Sequence, residues 1–235
     1  MRLVSLTLLC LLFAACGPVT TQDSTATALT EAVASQAPRS PVATPPKAPA
    51  PKVQAPKAAE PLVAAARGRL KSIVVYDGRY IALDYPGGDV PATMGVCTDV
   101  VIRSLRKAYD LDLQKRVHED MQANFGKYPT NWGLTRTDKN IDHRRVPNLE
   151  TYFTRAGQAL PITRVPSDYK PGDIVSWRLD SNTGSAGLPH IGIVSERLSR
   201  GGTPLIIHNI GRGVEESDML FDHRITGHFR VEPAG

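Results

Sequence analysis

The sequence predicts an α+β domain over residues 62–235, preceded by an exported and disordered N-terminal segment. Up to Gly157, apolar residues of this domain recur at three- and four-residue intervals, which is typical of amphipathic helices. Beyond Gly157 the segments are short, rich in β-branched residues and separated by Gly, Pro, Ser and Asn, which is typical of antiparallel strands. Helices followed by strands indicate a helical lobe packed on a small antiparallel sheet.

The first residues of the chain have the pattern of a signal peptide. An apolar run over residues 3–13 is too short to span a bilayer comfortably, and two alanines then lead to Cys16. The motif "FAACG" resembles a bacterial lipobox, although Phe13 stands where leucine is usual. We therefore predict a signal peptide over residues 1–15, lipidation of Cys16 and a periplasm-facing lipoprotein of the outer membrane. A plain secretory signal cut after Ala15 is the alternative.

The segment over residues 16–61 is expected to be a tether. It is rich in Ala, Thr, Ser, Pro and Gln, and cannot bury enough apolar surface to offset its ordering entropy. Pro-Lys pairs begin at positions 46, 51 and 56, and this regular spacing favours extended polyproline II. We expect this lipid-anchored linker to hold a folded domain, starting at Leu62, away from the membrane.

The charge of the chain points to no polyanionic partner. The net charge is +5, and residues 1–62 hold five basic and three acidic side chains, so part of the excess lies outside the predicted domain. Elsewhere acidic and basic residues are interleaved as on a solvated surface, without a basic stripe among aromatics. The composition argues against nucleic acid as a partner, and we expect a monomer.

The helical half is predicted to contain four helices. "PLVAAARGRL" predicts the first, and "KSIVVYDGRYIALDYPGG" predicts a strand or an extended pair that turns at Asp77-Gly78. The second helix starts at Cys97 and carries one apolar face. The third is predicted over residues 113–125, and "PNLETYFTRAG" predicts the fourth, with proline near its start and glycine after its end. Four strands are then predicted in "DIVSW", "HIGIVSE", "PLIIHNI" and "TGHFRVE".

Cys97 is the one thiol that an exported domain would keep, because Cys10 would leave with the signal peptide and Cys16 would carry lipid. It has no partner for an intramolecular disulfide, so it is either a buried small hydrophobic residue or a functional thiol. A helix start favours the thiolate through the helix macrodipole, whereas Asp99 opposes this if its carboxylate turns toward the sulfur.

A nucleophilic cysteine needs a base within reach and a group that orients the base. His190 opens a predicted strand and His208 lies in the next one, so two adjacent antiparallel strands could bring the rings side by side. In a pleated strand His208 and Asn209 point to opposite faces, so only one of them can orient His190. We favour His208 and keep Asn209 as the alternative.

The order of a cysteine at a helix start, then "YKPGDIVSW", "HIGIVS" and "IIHNI", resembles the papain-like NlpC-type cell-wall peptidases. More specifically, "YPGGDVPATMGVCTDVVIRSLR", "TDKNIDHRRVPNLETYF", "YKPGDIVSWRL" and "LPHIGIVS" are similar to the bacterial family catalogued as domain of unknown function 1287. The resemblance implies a papain-like fold with Cys97 as nucleophile, His190 as general base and His208 as the orienting residue. "VCT" replaces the usual Asp-Cys-Ser, and the histidines are 18 residues apart, a longer separation than usual.

The resemblance implies a cysteine hydrolase that cleaves amide bonds in peptidoglycan peptide stems, or in another envelope polymer, without a metal or other cofactor. Two alternatives stay open. One is a non-catalytic envelope lipoprotein that keeps the papain-like scaffold as a binding module. The other is a zinc hydrolase with Cys97, His190 and His208 as ligands and Asp99 as a further one.

Five further residues are candidates for the substrate cleft. Tyr85, in "DYPGG", could reach the thiol from the loop before the helix, and Asp99 follows the thiol closely in sequence. Asp142, His143 and Arg144 lie in "DKNIDHRRVP", where an arginine could bind a carboxylate through two parallel hydrogen bonds. A hydrogen-bonded loop that braces the fold is the alternative for this segment.

Overall fold

The computed structural model describes residues 51–179 and 187–233. The predicted signal peptide, the lipidation site Cys16 and most of the tether lie outside the described residues. Within the described ranges, no helix combines the length and the apolar character needed to cross a membrane.

In the part of the chain that the structure describes, the fold begins with four α-helices: α1 (Glu60–Arg69), α2 (Cys97–Tyr109), α3 (Leu113–Ala123) and α4 (Val146–Arg155). The α2 helix ends where Asp110 adopts a left-handed conformation, with φ of 49°. The carboxylate of Asp112 then starts α3 by accepting a hydrogen bond of 3.0 Å from the backbone of Gln114. Short 3₁₀ helices occur at Lys57–Ala59, Phe125–Lys127, Asp142–Arg144 and Pro166–Asp168.

The second part is a five-stranded antiparallel sheet, which confirms the predicted α+β class. Its strands are β3 (Ile174–Leu179), β4 (Leu188–Leu198), β5 (Pro204–Asn209), β6 (Val214–Ser217) and β7 (Arg224–Phe229), in the order β6-β5-β4-β3-β7. The sequence did not predict β6, because "VEES" has three polar residues and becomes a strand only by pairing with β5.

The extended segment before α2 differs from the prediction. Instead of turning back at Asp77-Gly78, the two-residue strand β1 (Val75–Tyr76) pairs in parallel with β2 (Met94–Gly95). A parallel pair needs a long connection, and local sequence does not reveal its partner. The pairing brings Tyr76 beside the residues that lead into α2.

Both faces of the large sheet are buried. On one face Ile191, Ile193 and Ile207 join the apolar core that also contains Val101 and Leu105 of α2. The opposite face has its own apolar cluster, made of Tyr169, Val175, Trp177, Val194, Ile206, Met219 and Leu220. The start of α2 is therefore held against the sheet by packing on the first face.

The packed domain begins before Leu62, the predicted boundary. Lys52 forms an antiparallel β-bridge with Arg197, and the N–H of Val53 donates to the carbonyl of Glu196 over 2.6 Å. The ladder between β4 and β5 is interrupted between Val194 and Leu198, and the N-terminal segment hydrogen-bonds to β4 in that region. A proline-rich segment, predicted to be disordered from its composition, is thus ordered from Pro51 by backbone pairing.

Candidate functional site

Cys97 opens α2 and is the free cysteine of the described chain, with 4% of its surface exposed. The backbone N–H groups of Thr98 and Ile191 and the hydroxyl of Tyr76 are the polar groups that act on its sulfur. The β4–β5 ladder starts only at Ile193, which leaves the N–H of Ile191 available to the thiol. The sulfur is therefore anchored by its own helix, by β4 and by β1.

Burial dominates the protonation of this thiol. It raises the pKa of Cys97 to about 11, and the nearby Asp99 carboxylate adds to the rise. The two backbone N–H groups and the Tyr76 hydroxyl act in the opposite direction, because they stabilise a thiolate. The helix macrodipole favours a thiolate and Asp99 opposes it, as the sequence indicated, but desolvation is the largest effect and favours the neutral thiol.

The two histidines predicted to be neighbours lie in contact. Nε2 of His190 is 3.0 Å from Nδ1 of His208, and the ring planes are perpendicular. Nε2 of His208 is 2.7 Å from the hydroxyl of Ser217 on β6 and 3.7 Å from a carboxylate oxygen of Glu215. A chain of polar groups therefore runs from β6 through β5 to His190 at the start of β4.

Both imidazoles of this pair are neutral at pH 7. Burial lowers the pKa of His190 to about 3, with further lowering from the charges of His208 and His223. Burial also lowers the pKa of His208 to about 4. A neutral imidazole has one N–H and one free lone pair, so it can accept a proton. Nδ1 of His190 is the ring nitrogen that the contact with His208 does not use.

Gly192 allows the two histidines to approach each other. A Cβ atom at this position would lie 2.7 Å from Cγ2 of Ile206 and 3.1 Å from Cβ of His208. Because alternate residues of a strand share a face, Gly192 lies on the same face of β4 as His190. Glycine is therefore the residue that lets β5 place His208 against His190.

Asn209, the alternative orienting residue, is engaged elsewhere. Its side-chain amide donates to the carbonyl of Gly95 over 3.5 Å, and its Oδ1 accepts from the backbone of Gly211 over 3.1 Å. Asn209 therefore links the end of β5 to the residues that precede Cys97.

Several predicted cleft residues form a buried brace instead. Asp99 and Arg144 make a bidentate ion pair, with two N–O distances of 2.9 Å, and both side chains are 3% exposed. Asp99 also accepts from the N–H of Val96, and the hydroxyl of Thr98 donates to the carbonyl of Arg144. Their burial is the reason that they hold the start of α2 in place rather than line an open cleft.

The other residues of this segment are buried as well. Asp142 is 1% exposed and accepts a hydrogen bond from the backbone of Asp138. His143 is 2% exposed, and burial lowers its pKa to about 4. The predicted alternative, a hydrogen-bonded loop that braces the fold, describes Asp142, His143 and Arg144.

Tyr85, predicted to reach the thiol, packs against His118 and Lys139, and the tyrosine that acts on the thiol is Tyr76. The ring of Tyr85 lies edge-on to His118, with centroids 5.1 Å apart, and Lys139 sits over its face at 5.7 Å. Burial and the contact with Cys97 raise the pKa of Tyr76 to about 12, so its hydroxyl keeps its proton. Sequence reasoning missed Tyr76 because only the parallel β1–β2 pairing carries it to the thiol.

One predicted contact is not among the hydrogen bonds of the described residues: that between the Cys97 sulfur and the His190 ring. The backbone N–H of Ile191 acts on the sulfur, and the pleat of β4 turns the side chain of His190, the preceding residue, to the opposite face of the sheet. The described ranges also contain no group of three or more His, Cys, Asp or Glu side chains that could hold a metal ion. The zinc alternative therefore has no ligand set in those ranges.

The fold and the site define an α+β protein in which a buried thiol at a helix start packs on one face of an antiparallel sheet and a buried histidine pair lies on the other. Residues 63–231 match the family described as a domain of unknown function (DUF1287), and the chain belongs to that family, as its motifs indicated. It is 58% identical over 165 residues to "Uncharacterized protein YijF" of Escherichia coli strain K12. The match covers 70% of this chain and 78% of that relative.

Proposed function

We propose that this protein is a cell-envelope cysteine hydrolase of papain-like, NlpC-type architecture that cleaves amide bonds in the peptide stems of peptidoglycan. The observation that carries the proposal is the polar chain Ser217–His208–His190. It ends one residue from Ile191, whose N–H contacts the Cys97 sulfur. Nucleophilic catalysis requires a base that a second polar group holds within reach of the thiol, and the histidine pair supplies the held base.

The reaction begins from neutral groups. The Cys97 sulfur forms a bond to the substrate carbonyl carbon while Nδ1 of His190 takes the thiol proton, and His208 holds Nε2 of the same ring. The histidine then gives this proton to the leaving amine as the carbon–nitrogen bond breaks, which leaves a thioester. Water, deprotonated by His190, attacks the thioester and releases the acid and the thiol.

Two donors support the negative charge that develops on the carbonyl oxygen. The first N–H groups of α2, including that of Cys97, have no partner within the helix. The hydroxyl of Tyr76 is a second donor, because it lies close enough to the attacking sulfur to affect the pKa of the thiol. The proton transfer is coupled to substrate binding, since catalytic hydrogen bonds often become short only in the complex.

The envelope location belongs to the same proposal and rests on the N-terminal sequence. A lipid on Cys16 and a tether over the following residues would keep a monomeric enzyme close to an immobile polymer. This arrangement suits an outer-membrane lipoprotein that faces the periplasm.

A second candidate function is a non-catalytic binding module. The observation that favours it is the 4% exposure of Cys97 together with its raised pKa, since inert structural thiols are buried in this manner. In that case the histidine pair and the brace around α2 serve only to hold the fold.

The test is incubation of the purified full chain with peptidoglycan, followed by mass identification of the released fragments. Cys97→Ala should abolish release, and His190→Ala should slow it about a hundredfold or more, as expected for loss of a general base. His208→Ala should have a smaller effect, because His190 loses only its orientation. His118→Ala, a histidine change beside Tyr85 on α3, is the matched control and should leave the rate unchanged.

Folding of each variant is checked by its thermal unfolding. Fragment release that survives Cys97→Ala would contradict the hydrolase. Binding of peptidoglycan without any release by the wild-type chain would support the binding module.

A further inference from the structure

A basic cavity lies between α1 and α2. Its volume is about 330 Å³, and its charged lining consists of Arg69, Asp89, Arg103, Arg106 and Lys107. Four cationic side chains thus surround one carboxylate. The small residues Ala65, Gly68 and Ala92 form the rest of the wall and leave the space between the charges open.

The single carboxylate is already shared by two arginines. Arg103 makes a bidentate ion pair with Asp89, with distances of 2.8 and 3.0 Å. Arg106 is 3.9 Å from the same carboxylate and 3.5 Å from that of Asp112. The carboxylate of Asp89 has therefore little capacity left for the other two cations.

Arg69 and Lys107 lack such a close carboxylate within the described residues. Among the residues that the structure describes, neither forms an ion pair within 4 Å, and Nε of Arg69 is buried without a hydrogen-bond partner. Burial and the positive charge of Arg103 lower the pKa of Arg69, and the negative charges of Asp89 and Asp99 offset this only in part. Nζ of Lys107 reaches back over α1, since a Cβ at Gly68 would lie 3.9 Å from it. A partly buried positive charge without a counter-ion is costly, and an anion in the cavity would remove this cost.

We infer that this cavity binds an oxyanion, a phosphate or a carboxylate group, held mainly by Arg69 and Lys107. The planar fork of arginine matches the oxygens of both groups, and lysine adds a mobile point charge. The α2 residues that line the cavity, Arg103, Arg106 and Lys107, lie six to ten residues after Cys97, or about 9–15 Å along the helix axis, so the cavity is separate from the thiol. The inference does not depend on the proposed hydrolase activity.

Calorimetric titration of the full chain with inorganic phosphate, in chloride buffer at constant ionic strength, tests this inference. Citrate and acetate form a second arm, which tells whether phosphate or carboxylate is the preferred anion. We expect saturable binding of at least one of them, and a tenfold or greater loss of affinity in the double variant Arg69→Gln/Lys107→Gln.

The matched control is Lys115→Gln/Arg116→Gln, which removes two charges from an exposed position on α3 and should change the affinity less than twofold. Lys107→Gln alone changes an exposed residue and keeps the test valid if the double variant does not fold. Saturable binding that the Lys107 variant weakens supports the site. Absence of saturable binding for every anion, or equal losses in the Arg69/Lys107 and Lys115/Arg116 variants, would overturn it.

Discussion

At the residue scale, the balance between desolvation and hydrogen bonding decides the chemistry of Cys97. Three donors surround the sulfur, yet burial still raises the pKa of the thiol to about 11. The neutral state of His190 has the same cause, since burial lowers its pKa to about 3. A buried thiol and a buried imidazole cost less free energy as a neutral pair than as two separate charges.

Gly192 gives the first prediction at this scale. Gly192→Ala should destabilise the protein by about 1–3 kcal/mol, because the added methyl group would overlap Ile206 and His208. It should also reduce the proposed hydrolase activity by displacing His208 from His190. Thermal and urea unfolding measure the first effect, and the rate of fragment release measures the second.

Gly201→Ala is the matched control, since a Cβ there would approach only the Ser199 hydroxyl, at 3.7 Å. If both alanine variants are equally stable, Gly192 is not needed for the close approach of β5.

At the element scale, the start of α2 is held by a charge pair from the 3₁₀ helix at Asp142–Arg144. Arg144→Met should cost about 3–5 kcal/mol, because it leaves the Asp99 carboxylate buried and unpaired. Arg155→Met removes a bidentate pair with Asp120 that is 31% and 25% exposed, and should cost much less. Urea unfolding of the two variants compares these costs, and similar losses would contradict a special role for the buried pair.

The N-terminal segment is the second element with a measurable role. A chain that starts at Leu62 should unfold at a lower temperature than one that starts at Pro51. It lacks the hydrogen bonds of Pro51 and Val53 to β4 and the first turn of α1. The loss should be on the order of 1–3 kcal/mol, given the usual contribution of one to a few hydrogen bonds.

The chain that starts at Pro51 should match the mature protein in melting temperature. The composition of the tether had suggested Leu62 as a harmless boundary. Equal melting temperatures for the Leu62 and Pro51 chains would show that residues 51–61 do not contribute to stability.

At the scale of the whole molecule, burial of neutral histidines links stability to pH. The pKa values of His143, His190 and His208 are lowered to about 4, 3 and 4 in the folded protein. Their ordinary value is about 6.5. Below pH 6.5 the unfolded chain therefore binds protons that the folded chain excludes, and stability falls as the pH decreases toward 4.

The free energy of unfolding should thus decrease between pH 6.5 and 5, by at most about 1.4 kcal/mol per pH unit for each of these histidines. His143→Gln removes one of these three histidines and leaves the His190–His208 pair intact. It should therefore reduce the slope of the free energy of unfolding against pH by up to about 1.4 kcal/mol per pH unit. Urea unfolding at several pH values measures the slope, and an unchanged slope in His143→Gln would show that His143 is protonated equally in both states.

The sequence alone was sufficient for the features that depend on local apolar periodicity and on the residues that mark where a helix begins or ends. Apolar spacing predicted the α+β class and the four helices, and the start of α2 at Cys97. Strand pleating and strand adjacency predicted that His190 and His208 would be neighbours, and motif order predicted the family. These features are encoded within a few residues of one another.

Only the tertiary structure decided what surrounds the thiol. Tyr76 lies beside Cys97 because β1 and β2 pair in parallel. Ser217 contacts His208 because "VEES" becomes a strand by pairing with β5. Arg144 is buried against Asp99. The same holds for the protonation of Cys97, where the helix dipole is a local effect and desolvation depends on every element packed around the sulfur. Pairing between distant segments and exclusion of water are properties of the assembled fold, so no local pattern contains them.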